Sequence, residues 1–536
     1  MIRALNAIDE VTFRRFTDAR PAMSADVEQR ANLARSVARD DDAVVAERPR
    51  EVIAGLRDLI GAPGADPAVE IKTLELGAVE IGIRVESARK RRMHVEGIIQ
   101  PPTGAPTLRR ALGRWDLTAI GVNQVIGGAI FLMPSQVAAQ ITGAWAPIGF
   151  ILMGLASLTI ALCFAEVGSR FDSTGGPYLY TRAAFGRFAA FEVGWMQWFT
   201  RASSQASVMA GIAVALGYYW PAATSGLPRA LVLVTITSAL AWVNVRGIRQ
   251  SAWVVNALTI GKLVPLALFI VAGLAFIEPS RLTSLPPVTL NQASTAALLL
   301  IFVYGGFDVV PVPAGEALDP RRHIPFALVT TILSVMAIMT LAQIVAQGVL
   351  PDLARHSTPI ADAAAVFLGS AGALLVGIGS VLSMTGNNAG QVLSGSRMLY
   401  ALAEHGELPA FFGRIHPRFR TPANAVVFTS AVALLLGISG SFAAIAVVSA
   451  LARLVTYTGA CAATLRLRSP QFAATVKPAT FIAPFGPIVP IVAIVVSLAV
   501  VAGATRQQLL GGAGALAVGA ALFAINSRIR VVGDGL

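Results

Sequence analysis

The chain has 536 residues, of which 55% are hydrophobic and only 13% charged, and its mean hydropathy is +0.66. Soluble globular proteins carry about 25% charged residues, so a soluble domain is excluded and an integral membrane protein is indicated. The net charge of +12 does not imply a nucleic-acid partner, because the cations are distributed as a membrane protein distributes them.

Residues 1–110 are polar and contain no run able to span a bilayer. They read as a disordered cytoplasmic extension, as a regulatory segment, or as sequence upstream of a true start at Met93. From residue 115 onward, apolar runs of about 20 residues recur, the length that crosses the hydrocarbon core. Twelve are counted: 115–140, 145–168, 189–217, 228–245, 252–277, 294–315, 324–349, 362–396, 422–439, 441–466, 483–503 and 508–526. The expected fold is an all-α integral membrane protein with twelve transmembrane helices. With the N-terminus in the cytoplasm, sixteen lysines and arginines fall on the cytoplasmic side against four (Arg229, Arg281, Arg355 and Arg506) on the other. This positive-inside bias places both termini in the cytoplasm. Arginine supplies 38 of the 42 cations, a usage that points to a GC-rich bacterium and hence to its cytoplasmic (inner) membrane. The only cysteines, Cys163 and Cys461, lie in or near spans and offer no disulfide framework.

Soluble-enzyme motifs fail on inspection. Gly261-Lys262 lacks both the earlier glycine and the following hydroxyl of a phosphate loop. "GAGALA" at 512–517 sits inside the last apolar run, where small residues let helices approach. The five histidines fall in loops or in the N-terminal segment, without metal-ligand spacing and without a nucleophile to serve. No enzyme site, metal site or cofactor is expected.

Charges inside membrane spans are costly and by default functional. Four stand well inside: Arg201, Lys262, Asp308 and Arg453. Lys262, in "NALTIGKLVPLAL", is either a proton carrier or a lysine snorkelling to the cytoplasmic interface. Asp308, between a glycine pair and two prolines, is expected where the helix is irregular and water has access, in proton binding or gating. Arg201 and Arg453 are expected to neutralise carboxylates within the bundle rather than to touch substrate. Glu166, Glu192, Glu316 and Arg397, nearer the cytoplasmic ends, are expected to pair or snorkel there.

The first run contains "QVIGGAIF" with Pro134 close behind, and the sixth contains "FVYGGFDVVPVP". Glycine costs about 1 kcal/mol and proline about 3 in a helix interior. Paired interruptions at corresponding positions of two five-span blocks mark a transporter site. An unwound segment frees N–H groups for a carboxylate and carbonyls for an ammonium, and an amino acid carries both.

Four motifs in order resemble the amino acid–polyamine–organocation transporters: "IGGAIFLMP" at 126–134, "FAEVGSRFDSTGGPYLYTRAAFGRFAAFEVGW" at 164–195, "YGGFDVVPVPAGEALDPRRHIPFA" at 304–327 and "SGSRMLYALAEHGELPAFFGRIHPRFRTP" at 394–422. The resemblance covers about 111–530. It implies the LeuT-like fold, a 5+5 inverted repeat with discontinuous helices 1 and 6. The ten-helix core would run over 111–467 (111–277 and 294–467), followed by two additional helices within 483–530. It further implies that Gly127, Gly128 and Ala129 offer N–H groups to the substrate carboxylate, that carbonyls of Val125, Phe302 and Gly305 hold the amino group, and that Phe302 or Tyr304 closes over the substrate. Lys262 matches a lysine that replaces sodium in proton-coupled members. Two positions depart from the family pattern, Ala129 for a glycine and Asp308 for a glutamate. The function implied is amino acid uptake coupled to protons, with an amino acid or polyamine exchanger as the alternative and a non-transporting sensor behind it. The partners are an amino acid or amine, a proton and the lipid bilayer.

Overall fold

The structure is a computed structural model that describes residues 108–217, 220–439, 442–502 and 506–533. The extension assigned to residues 1–110, including Met93, lies up to residue 107 outside the described residues. Within Gly104–Leu536, one compact unit, every long element is a helix. In chain order these are α1 Arg114–Val125, α2 Ala129–Ala138, α3 Trp145–Gly168, α4 Pro177–Phe185, α5 Arg187–Gly217, α6 Gly226–Arg246 and α7 Ile248–Gly273. There follow α8 Leu290–Val303, α9 Pro320–Val349, α10 Pro359–Glu404, α11 Ala423–Ser439, α12 Phe442–Arg466, α13 Ile488–Ala502 and α14 Arg506–Gly533.

A helix, or the bent pair α1–α2, stands on each of the twelve apolar runs. Among the described residues six helices are by themselves long and apolar enough to cross a membrane, and the bent pair makes a seventh. Lipid offers no partner for backbone polar groups, so such runs close their hydrogen bonds internally as helices. The faces of α7 show the solvent it is built for. Trp253, Ile260, Val264 and Val271 are 60–71% exposed, whereas Val255, Lys262 and Phe269 are wholly buried. An apolar stripe turned outward with a cation turned inward inverts the soluble pattern.

α5 packs against α10, α11 and α12; α9 packs against α3 and α1; α7 packs against α10 and α1. Their inward side chains form a large apolar core, with a small separate cluster of Met209, Ala213, Leu233 and Ala433 between α5, α6 and α11. Around it, acids pair with arginines from distant sequence. Arg397 grips Glu316 through Nε at 2.8 Å and Nη2 at 3.0 Å, both side chains wholly buried. Arg468 grips Glu166, with Nε at 2.7 Å, and Arg187 grips Glu407 at 2.9 and 3.0 Å. The Glu192 carboxylate instead lies beside Gly519 of α14, where an added Cβ would come within 2.7 Å of it. Cys163 and Cys461 are buried free thiols.

Candidate functional site at two helix breaks

The first break falls at the glycine pair. α1 ends at Val125, α2 begins at Ala129, and the two axes bend by 45°. Across the gap the Gly127 N–H donates to the Val125 carbonyl at 2.9 Å. Among the described residues the N–H groups of Gly128, Ala129 and Ile130 have no acceptor, as expected of a helix N-terminus. The donors open to an anion therefore begin at Gly128, because the tight turn at Val125 consumes that of Gly127.

The second break follows Val303. The chain turns through Tyr304–Gly306, takes a short 3₁₀ turn at Phe307–Val309, and a second at Ala314–Glu316. Gly306 has φ +130°, and a Cβ there would lie 2.8 Å from the Gln124 carbonyl oxygen. The two breaks therefore touch backbone to backbone. The segments flanking them are tied again where buried Leu112 bridges to buried Ala317 and the Leu318 N–H donates to the Leu112 carbonyl at 2.9 Å. Gly306→Ala is expected to lower the thermal midpoint sharply, at a cost of about 1–3 kcal/mol for the dihedral alone. Gly128→Ala, whose Cβ would meet only Met384 at 3.5 Å, is expected to leave it nearly unchanged. Thermal unfolding of both purified variants compares them directly, and equal midpoints would remove the backbone contact from the site.

Freed carbonyls at the first break are capped by side chains from two other helices. Lys262 Nζ donates to the Asn123 carbonyl at 2.9 Å and to that of Ile126. Ser383 Oγ donates to the Ile126 and Gly127 carbonyls at 3.1 and 2.9 Å, and Asn387 Nδ2 donates to Gln124 at 2.9 Å. Gln124 returns a bond to the Asn387 carbonyl at 2.7 Å. Lys262 thus does not snorkel; it is wholly buried and points at the break.

At the second break Arg201 Nη2 meets Asp308 Oδ2 at 2.8 Å, with both side chains at 0% exposure. Tyr457 Oη donates to Asp308 Oδ1 at 3.2 Å, and Gln197 Nε2 donates to its carbonyl at 3.3 Å. Arg201 also reaches Gln391 Oε1 at 3.3 Å. The expectation that water reaches Asp308 is corrected here, because a guanidinium and a phenol enclose its carboxylate. Arg201 has the carboxylate partner expected of it. Arg453 lies against Gly305, where a Cβ would overlap its guanidinium, and among the described residues no carboxylate lies within ion-pair distance of it. Tyr304 is fully buried, and its hydroxyl donates to the Phe150 carbonyl of α3 at 2.7 Å, which holds the ring against that helix. Phe302 is in the last turn of α8, and its side chain lies outside the described residues. Away from the spans, burial pushes the His405 imidazole down to about 4 and leaves it neutral at physiological pH.

Sequence reasoning missed Ser383, Asn387 and Gln391 of α10. Their signal was present: "SMTGNNAGQ" places polar residues four apart within an apolar run, a polar stripe at helical period.

An all-helical bundle that turns charged groups inward onto two facing helix breaks belongs to the class of membrane transport proteins. Residues 112–520 match the amino acid permease family model, and the chain belongs to that family, within the amino acid–polyamine–organocation superfamily. It is 27% identical over 407 residues to a methylthioribose transporter of Bacillus subtilis (strain 168), covering 72% of this chain and 86% of that protein. The branched-chain amino acid permease BcaP of the same organism is 27% identical over 65% of this chain and 78% of its own. Its serine/threonine exchanger SteT is 29% identical over 61% of this chain and 76% of its own.

Proposed function

We propose that the protein is a secondary active transporter that takes up amino acids across the bacterial inner membrane by alternating access, coupled to protons. In this reading twelve spans form a LeuT-like 5+5 inverted repeat plus two helices, with both termini cytoplasmic. The substrate carboxylate binds the open N–H groups of Gly128 and Ala129, next to Gly127. The ammonium binds the carbonyls of Val125, Phe302 and Gly305. Phe302, rather than the anchored Tyr304, is the aromatic left to cover the substrate.

The observation that carries the coupling is the contact of Lys262 with the first break. A protonated Nζ satisfies two carbonyls that α1 cannot satisfy itself. When the proton leaves, both bonds lose the assistance of the positive charge, and those carbonyls are held less firmly. The conformation of the break is thereby linked to the proton on Lys262, while Asp308, held by Arg201, sets the second break.

A polyamine exchanger is disfavoured by the charge beside the second break, where Arg201 takes the Asp308 carboxylate and Arg453, against Gly305, has none within ion-pair distance among the described residues. A polycation entering beside Gly305 would meet an excess of positive charge.

The test is uptake of labelled amino acids into proteoliposomes, with and without an imposed inward proton gradient. Accumulation driven by the gradient without internal substrate is the expected result. Uptake that requires internal amino acid and ignores the gradient would establish exchange instead.

A further inference from the structure

A single residue, Gly247 at φ +149°, joins α6 to α7, and both are long and apolar enough to span a membrane. Their junction therefore lies at a membrane face. Beside it runs the loop that follows α10, and between the two is a cavity of about 260 Å³. Five arginines line it, Arg109, Arg246, Arg249, Arg418 and Arg420, with Phe419 among them and, among the described residues, no aspartate or glutamate in its wall.

The arginines are placed by structure as well as by composition. The Arg246 guanidinium stacks on Trp242 at 4.6 Å and also approaches Phe419 at 5.7 Å, and Arg418 lies over the same Phe419 ring at 5.7 Å. Arg420 sits at φ +53°, a region that side-chain-bearing residues rarely adopt. Its N–H donates to the His416 carbonyl at 2.8 Å, while the N–H groups of Arg418 and Phe419 reach His416 Nδ1 at 3.2 and 3.3 Å. Strained backbone of this kind persists where its surroundings over-determine it, often at binding sites. The first turn of α7, whose N–H groups lack intrahelical acceptors, opens on the same cavity through Ile248 and Arg249. The guanidiniums of Arg109, Arg246, Arg249 and Arg418 and the α7 N-terminus thus converge on one volume, a setting that attracts an oxyanion.

The surroundings select the source of that anion. Trp242 and Trp253 are 59% and 69% exposed on the two spans that bound the cavity. Exposed tryptophans near span ends mark the headgroup layer, and basic pockets between spans at that depth hold anionic headgroups. We propose that this cavity binds the phosphate of an anionic phospholipid, with the guanidiniums and the α7 N-terminus as its ligands. The inference requires only that α6 and α7 cross a membrane, so it stands apart from any substrate the permease carries.

Titration of the full chain in detergent with short-chain phosphatidylglycerol, short-chain phosphatidylcholine and inorganic phosphate tests it. Tryptophan emission is the readout, because Trp242 abuts Arg246, together with the thermal midpoint. Phosphatidylglycerol is expected to give a saturable change and a raised midpoint, weakened in high salt, where exposed charges are screened. Arg246→Gln and Arg418→Gln should each weaken binding about fivefold while keeping the lipid-free midpoint of the parent. An equal response to phosphatidylcholine would overturn the proposal, as would unchanged affinity in both variants. So would inorganic phosphate reproducing the full effect, which would assign the cavity to a soluble anion. These readouts do not depend on transport, so failed uptake assays would leave the result interpretable.

Discussion

Asp308→Asn destabilises the purified protein by about 3–5 kcal/mol, the cost of leaving a buried charge without its partner. The variant leaves the buried Arg201 without its carboxylate and under the repulsion of nearby Arg453. Arg201→Met is expected to cost less, because the Asp308 carboxylate keeps the Tyr457 hydroxyl and the field of Arg453. The double variant Arg201→Met/Asp308→Leu is expected to recover much of the loss, since replacing a buried pair by apolar groups is often neutral. Thermal unfolding of the three variants in one detergent measures this order. Single variants as stable as the parent would show that the pair is not a closed ion pair in the resting protein.

On the proposed coupling, Lys262→Met is expected to abolish accumulation against a gradient while the protein still folds and inserts. The methionine keeps the volume of the side chain in its apolar setting but removes both donors to the first break. Ile126 retains Ser383 as a donor, whereas the Asn123 carbonyl loses its Lys262 donor. An unsatisfied buried acceptor costs about 1–3 kcal/mol, enough to shift the conformation of the break without unfolding a domain. Proteoliposomes containing this variant are expected to equilibrate substrate across the membrane and to stop there, with no response to an imposed pH difference. Gradient-driven accumulation equal to that of the parent would remove Lys262 from the coupling.

Much of the architecture is local, and local chemistry is legible in a sequence. Runs of about 20 apolar residues have only one way to satisfy their backbone in lipid, so the positions of the helices follow from the residues themselves. The breaks follow in the same way. Gly127 and Gly128 fall between α1 and α2, and Gly305 and Gly306 fall just beyond the end of α8, where helix propensity is lowest. The four motifs in order carried the family, which the match over 112–520 bears out. Even the inward polar stripe of α10 is written as a period.

Partnership is different, because it depends on helix rotation and on contacts far apart in the chain. Nothing in the spacing of Arg201 selects Asp308, which lies 107 positions away, over any other acid. Lys262 reads as a buried lysine or as a snorkelling one until the face of α7 is known, and an outward row of Trp253, Ile260 and Val264 decides it. The Gly127 N–H looked available to a ligand until the turn onto Val125 consumed it. The arginine cavity is likewise invisible along the chain, where its residues appear only as positive-inside charge in separate segments. The sequence by itself determined a membrane-embedded helical protein with two weakened spans, because propensity and hydropathy act within a few turns, and its motifs carried the family. Only the tertiary structure decided which charges meet, which carbonyls Lys262 supports and where five arginines converge, because those are long-range contacts that sequence spacing does not encode.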